Sequence, residues 1–158
     1  MTLRRVLFLV VFLGGVLLVS FLFFTRYRNS LMSYDFANVS IGDHEFVAEV
    51  ADSSEERARG LSGHKPLSED QGMLFLFPEA SVQAFWMKEM LFPIDIIWIR
   101  DGRVLGFYEN VPPPLPETSL SELLLYTSPG LVNMVFEVAG GTVSRFGITV
   151  GDKFVFQP

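Results

Sequence analysis

The chain has 158 residues, 49% of them hydrophobic, with a net charge of −6 and no cysteine. Because the first thirty positions hold four arginines and no acidic residue, the rest of the chain carries a net charge of about −10. The length excludes two large domains, the lack of cysteine excludes disulfides and thiolate metal sites, and the acidic remainder lacks the basic surface that nucleic-acid binding requires.

The first predicted element is a membrane-spanning helix. Nineteen residues from Val6 to Phe24 run without a charge, and at about 1.5 Å of rise per residue they reach roughly 28 Å, enough to cross a bilayer. A cleaved signal peptide would have a shorter apolar core that ends in small residues, whereas this run ends in two phenylalanines, Thr25 and Arg26. The predicted organisation is a tail at 1–5, a lipid anchor at 6–24, a linker at 25–35 and a globular domain at 36–158.

The charges that flank the anchor decide its predicted orientation. Arg4 and Arg5 precede it, and Arg26 and Arg28 follow it, so the excess of cytoplasmic positive charge that normally sets topology is nearly balanced. The N-terminal amine adds a positive charge in front, and the sequence turns acidic from Ser33 onward. We therefore expect a single-pass membrane protein whose C-terminal domain lies in an extracytoplasmic compartment.

The domain itself is predicted to be rich in β-strands. Apolar runs of strand length are separated by turn signals, and two of these signals, Gly42-Asp43 and Asp101-Gly102, favour hairpins. The predicted strands are residues 36–41, 45–50, 72–77, 84–88, 94–100, 103–110, 131–138 and 153–156. Because strands outnumber helices, we predict a β-rich α+β fold, either a compact bent sheet or a small β-barrel with short helices.

Short helices and one surface loop complete the predicted domain. Ser53 is suited to capping a helix of about two turns, Glu56 completes a capping box, and Gly60 is suited to ending it. A second helical turn is predicted within residues 140–147. Three consecutive prolines at 112–114 favour an extended, water-exposed loop that could serve in recognition.

Several motifs in this domain resemble one family. The runs GLSGHKPLSEDQGMLFLF, FWMKEMLFPIDIIWI, FEVAGG and GITVGD follow one another in that order. The combination resembles the DUF192 family of small bacterial and archaeal proteins over residues 46–156. The resemblance implies a compact β-rich domain in proteins that are often exported or lipid-anchored, and it implies no particular reaction.

The chain departs from that family pattern at four positions. Ser62 and His64 stand where the pattern has Met and Arg, and Glu89-Met90 stand where Asn-Thr is usual. If these positions line a site shared by the family, this member binds a different ligand.

Two carboxylates fall inside predicted strands. Asp95 begins an apolar strand, and Glu137 lies in the middle of another. Burying a carboxylate without a partner costs several kcal/mol or forces its protonation. Asp95 is therefore expected to pair with Lys88 or to cap a turn, and Glu137 to accept backbone amides near Gly140-Gly141. The alternative is that either residue belongs to a binding or catalytic site.

A second candidate region is aromatic. Phe85, Trp86 and Met87 precede Lys88, and this segment is expected either to pack in the core or to contact a ligand, for example by stacking on a sugar. The two histidines lack other ligands at metal-binding spacing, so the sequence predicts no metal site and no cofactor.

Two functions follow from these candidates. The first is a non-catalytic binding or scaffold module that uses a rim formed by Pro112 to Pro116 and by Trp86 to Lys88 to contact an envelope polymer or another envelope protein. The alternative is an envelope glycan hydrolase or lyase that uses Asp95 and Glu137 as an acid/base pair, with Lys88 tuning one of them. The enzyme requires both carboxylates to open into one cleft.

Overall fold

Nine strands and two short helices make up the part of the chain that the computed structural model describes, residues 35–157. The strands are β1 (Asp35–Ile41), β2 (His44–Ala51), β3 (Gln71–Ser81), β4 (Ala84–Phe85), β5 (Ile94–Arg100), β6 (Arg103–Val111), β7 (Tyr126–Thr127), β8 (Val132–Ala139) and β9 (Phe154–Gln157). The helices are α1 (Ser54–Arg59) and α2 (Thr142–Phe146), and a 3-10 turn covers Leu120–Glu122.

Seven of these strands form one curled sheet. Their order is β6-β5-β8-β3-β2-β1-β9, while β4 and β7 pair separately. The two ends of the sheet meet where the amide of Val104 donates to the carbonyl of Asp152 at 3.0 Å and the amide of Phe154 donates to the carbonyl of Gly102 at 2.9 Å. The sheet is therefore strongly curled, and the prediction of a β-rich, strongly bent sheet with short helices is confirmed.

Local signals in the sequence placed the turns and the first helix correctly. The hairpin registers pair Ile41 with His44 and Arg100 with Arg103. In α1, the hydroxyl of Ser53 accepts the amide of Glu56, and the Glu56 carboxylate accepts the amide of Ser53 at 3.0 Å. These contacts are local in the chain, which is why a single sequence reveals them.

The segment 84–88 was wrongly predicted as a central strand. Only Ala84–Phe85 is a strand, and a turn closed by the amide of Met90 on the carbonyl of Met87 follows shortly after it. Met87 is buried, and the half-buried ring of Phe85 covers the sheet by packing against Phe75 on β3 and Trp98 on β5. Periodicity alone does not separate a buried strand from a buried covering loop.

The central strands β3, β5 and β8 are buried on both faces. On the inner face, Leu74, Ile97 and Phe136 belong to the main hydrophobic cluster. On the outer face, Phe75 and Trp98 are equally buried. Burial on both sides explains why these strands read as continuous apolar runs rather than as alternating patterns.

Asp95 is fully buried and fixes one end of this sheet. Its Oδ1 accepts the amides of Asn110 at 2.6 Å and Gly141 at 2.9 Å, and its Oδ2 accepts the amide of Val143 at 2.7 Å. The predicted ion pair with Lys88 is wrong, because backbone donors from β6 and from the start of α2 surround this carboxylate. One side chain on β5 thereby joins β6 to α2.

No helix within residues 35–157 is long and apolar enough to cross a membrane. The predicted anchor at 6–24 lies outside the described residues, as does most of the predicted linker.

We expect Asp95→Asn to lower the free energy of unfolding by about 3 kcal/mol, because the amide keeps one acceptor and turns a donor toward a buried N–H group. The measurement is urea unfolding of the detergent-solubilised full chain, followed by the fluorescence of its two tryptophans, Trp86 and Trp98. Asp43→Asn, in an exposed turn, is the control and should change stability by less than about 0.5 kcal/mol. A loss below about 1 kcal/mol for Asp95→Asn would contradict this role.

Candidate functional site

A pocket of about 230 Å³ opens on the outer face of the sheet. It combines the end of α1 and the loop after it with β3, the segment that contains β4, and β8. We call it the Glu137 pocket. The described residues that line it are Arg57, Ala58, Arg59, Gly60, Leu61, Ser62, Phe75, Phe77, Gln83, Ala84, Phe85, Trp86, Lys88, Met90 and Glu137.

Aromatic rings form one wall of the Glu137 pocket. The ring of Phe85 stands perpendicular to that of Phe75, with centroids 4.9 Å apart, and lies 6.5 Å from Phe77. Trp86 adds a ring with 47% of the residue exposed. Gly60 brings the chain close to this wall, because a Cβ atom there would lie 3.3 Å from the Phe75 ring. The wall therefore offers flat apolar surface to a bound molecule.

Glu137 is the buried polar group of this pocket. It lies on the outer face of β8, directly between Met73 of β3 and Ile96 of β5, and only 4% of the residue is exposed. Within residues 35–157, no hydrogen bond or ion pair satisfies its carboxyl group, and burial raises its pKa to about 8. At neutral pH the group is mainly protonated, so it can both donate and accept a hydrogen bond.

Three basic side chains line the same pocket as this neutral acid. Arg57 is held in place by donating to the carbonyls of Leu76, at 2.9 Å, and Asp52, and its guanidinium lies 5.4 Å from the centre of the Phe77 ring. Lys88 contacts the exposed carboxylate of Glu89 at 3.6 Å, and Arg59 also lines the pocket. The pocket thus carries positive charge and attracts anions.

The turn that carries Lys88 is fixed from across the pocket. The hydroxyl of Ser62 donates to the carbonyl of Lys88 at 2.8 Å, and the amide of Gly63 donates to the carbonyl of Glu89 at 3.1 Å. Glu89 has a φ of +57°, a left-handed conformation that costs a residue with a Cβ about 1 kcal/mol or more. The loop after α1 therefore holds Lys88 against a local backbone preference.

The structure brings together three of the four sequence-predicted site residues. Trp86, Lys88 and Glu137 line the Glu137 pocket, whereas Asp95 does not. In the register of β5 with β8, Glu137 pairs with Ile96 and Asp95 with Val138, so the two carboxylates point to opposite faces. The single cleft that an Asp95 and Glu137 acid/base pair requires is not formed.

A backbone partner that was expected for Glu137 belongs to Asp95. The amide of Gly141, expected to satisfy Glu137, donates to Asp95 instead, and the amide of Gly140 donates to the carbonyl of Pro93. Sequence reasoning also missed Arg57 and Phe77 as pocket residues. The only signal for Arg57 was its position in the last turn of a short, otherwise exposed helix.

The proline-rich loop lies beside a different groove. Pro112, Pro113, Pro114 and Leu115 line it together with Met87. Since Met87 is the neighbour of both Trp86 and Lys88, the predicted rim contacts this groove on one side and the Glu137 pocket on the other.

Comparison with known proteins gives one family match and two similar structures. The model of the family DUF192, described as “Uncharacterized ACR”, matches residues 37–156. A crystal structure from Sinorhizobium meliloti 1021, of a protein whose suggested role is that of a transcription regulator, is 29% identical, with a TM-score of 0.72 over 79% of this chain and 96% of that one. A protein of unknown function from Novosphingobium aromaticivorans DSM 12444 is 29% identical, with a TM-score of 0.71 over 78% and 87%. No curated protein matches significantly.

The raised pKa of Glu137 makes stability depend on pH. Its ordinary value is 4.5 and its folded value is about 8, so the folded chain holds more protons than the unfolded chain between these limits. The free energy of unfolding therefore falls as the pH rises through that window. Glu137→Gln does not titrate and should gain stability relative to the parent from pH 5 to pH 8, by up to about 1.4 kcal/mol per pH unit.

Urea unfolding of both full-length proteins in detergent at pH 5, 6, 7 and 8 measures this difference. Glu117→Gln, at an exposed position, is the control, and its stability should follow that of the parent at every pH. Parallel profiles for the parent and Glu137→Gln would mean that Glu137 does not retain its proton on folding.

Proposed function

We propose that this chain, which belongs to the DUF192 family, is a membrane-anchored module that binds a sugar unit of an envelope polymer in the Glu137 pocket without cleaving it. The observation that carries the proposal is a buried carboxyl group that has no hydrogen-bond or ion-pair partner among the described residues and lies in a pocket with an aromatic wall. A buried polar group of this kind is costly to maintain unless a ligand satisfies it.

The groups around the Glu137 pocket match the surface of a sugar. One face of a sugar ring is apolar and packs against aromatic side chains such as Phe85 and Trp86. Its hydroxyl groups both donate and accept hydrogen bonds, as does a protonated carboxyl group. Ser62 and Gln83 line other walls, and the Ser62 hydroxyl, which donates to the carbonyl of Lys88, can still accept a hydrogen bond from a ligand.

Binding without cleavage agrees with the position of the acids. Glu137 is the only acidic residue among the described residues that line the pocket, and the predicted partner Asp95 is on the other face with both oxygens occupied. Hydrolysis of a glycosidic bond generally uses two carboxyl groups on either side of that bond. The role suggested for the Sinorhizobium protein is not extended to this chain, because a domain of net charge about −10 lacks the basic surface that DNA requires.

The site of action follows from the N-terminal sequence. The uncharged run at 6–24 would hold the chain in a bilayer, and the charge pattern around it favours an extracytoplasmic domain. There the pocket would face the polysaccharides of the cell envelope.

We expect the full chain, expressed in a bacterial host, to stay in the membrane fraction after carbonate extraction, because a nineteen-residue apolar helix is buried in lipid rather than held there by charge. A variant that lacks residues 1–30 is the control and should be released. A full chain that appears in the carbonate supernatant would contradict the anchor.

We expect the full chain in lipid nanodiscs to bind immobilised fragments of bacterial envelope polysaccharides. Glu137→Met, which keeps the side-chain volume and removes the carboxyl group, should weaken binding at least about tenfold, and Trp86→Ala should weaken it through lost stacking. Leu115→Ala, in the neighbouring groove, is the control and should bind as the parent does.

Three results would contradict the proposal. The parent could bind none of the polysaccharides, or both pocket variants could bind as the parent does. New reducing ends released from the fragments by the parent, and not by Glu137→Met, would show that the pocket cleaves its ligand.

A further inference from the structure

We infer that the sugar held in the Glu137 pocket is a sugar acid, whose ring carboxylate lies against Lys88 and Arg57 while a ring hydroxyl reaches Glu137. This inference rests on the proposed function and specifies its ligand.

The distribution of charge singles out this pocket. Eight of the twelve basic residues of the chain lie beyond position 30, and three of those eight line the Glu137 pocket. All 18 acidic residues also lie beyond position 30. Among the described residues that line the pocket, only Glu137 is acidic, and its carboxyl group is mainly neutral at pH 7. An anion would therefore be drawn to this part of an otherwise acidic domain.

Arg57 is preorganised for an anion. Two backbone carbonyls and the face of Phe77 fix its guanidinium, and only one terminal nitrogen serves those carbonyls. The other donors of the fork-shaped group remain for a ligand. Because the side chain is already ordered, binding loses little conformational entropy at this position.

The backbone of Lys88 is held in place, whereas its side chain makes a weak ion pair. The Ser62 hydroxyl fixes its carbonyl, while its ammonium contacts a largely exposed carboxylate, that of Glu89, at 3.6 Å. An exposed ion pair of this kind is worth roughly 1 kcal/mol or less. Lys88 can therefore exchange Glu89 for a ligand carboxylate at little cost.

The same residues disfavour the other classes of sugar. An amino sugar with a free ammonium would meet three basic side chains, a repulsion that one mainly protonated acid does not offset. A neutral sugar would satisfy Glu137 and could accept hydrogen bonds from Lys88 and Arg57, but it carries no negative charge to pair with them. A sugar acid offers a hydroxyl group to Glu137 and a carboxylate to the basic side chains. Its apolar ring face lies between these groups and can pack against the aromatic wall.

The test uses pairs of methyl glycosides that differ only at C6: glucuronate with glucose, galacturonate with galactose, and mannuronate with mannose. Their binding to the full chain in nanodiscs is measured by calorimetry at pH 7 and low salt. At least one uronate should bind about tenfold or more tightly than its neutral counterpart, and Lys88→Met should remove most of that difference. Lys65→Met, an exposed lysine outside the pocket, is the control.

The outcomes separate this inference from the proposed function. Neutral sugars that bind as tightly as the uronates, or a uronate preference that survives Lys88→Met, would overturn the sugar acid and leave sugar binding intact. If polysaccharides bind in the preceding experiment but no uronate binds, the sugar acid is likewise overturned and sugar binding stands. If neither polysaccharides nor any glycoside binds, the proposed function itself fails.

Discussion

The central strands are buried on both faces, and this constraint governs every polar group that they carry. Asp95 on β5 and Glu137 on β8 both lie in strands that water does not reach. Each must find a partner inside the fold, lose its charge, or meet a ligand. Asp95 takes the first course, since three backbone amides surround it. Glu137 loses its charge, and the pocket beside it leaves room for a ligand to supply the missing hydrogen bond.

This difference explains why one carboxylate belongs to the scaffold and the other to a site. Replacing Asp95 would leave buried N–H groups of β6 and α2 unpaired, so its charge supports the fold itself. Glu137 supports no backbone group within residues 35–157, and a neutral apolar side chain would fill its place at lower cost. Natural proteins retain such locally unfavourable groups chiefly where function needs them.

The sequence predicted what is local and misjudged what is tertiary. Hairpins at Asp101-Gly102 and Gly42-Asp43 and the capping box at Ser53 depend on neighbouring residues, and each is found. The partners of Asp95 and Glu137 depend on which strand lies beside which, and a period of two reveals the face of a side chain without revealing what covers that face. The same limit led residues 84–88 to be predicted as a central strand. The membrane-spanning helix at residues 6–24 remains a prediction.

Three of the four departures from the expected family pattern lie in the Glu137 pocket or on the turn beside it, whereas His64 lines a different pocket. Ser62 and Met90 line the Glu137 pocket, and Glu89 occupies the left-handed position of the turn that presents Lys88. Asn, which the resemblance to the family leads us to expect at that position, tolerates this conformation better than Glu does. The Glu found there places a carboxylate beside Lys88. The aromatic wall and Glu137 would then select sugars as the class of ligand. The loop after α1 and the turn at Lys88 would select the particular sugar. Specificity placed on these two loops can change without disturbing the doubly buried strands beneath them.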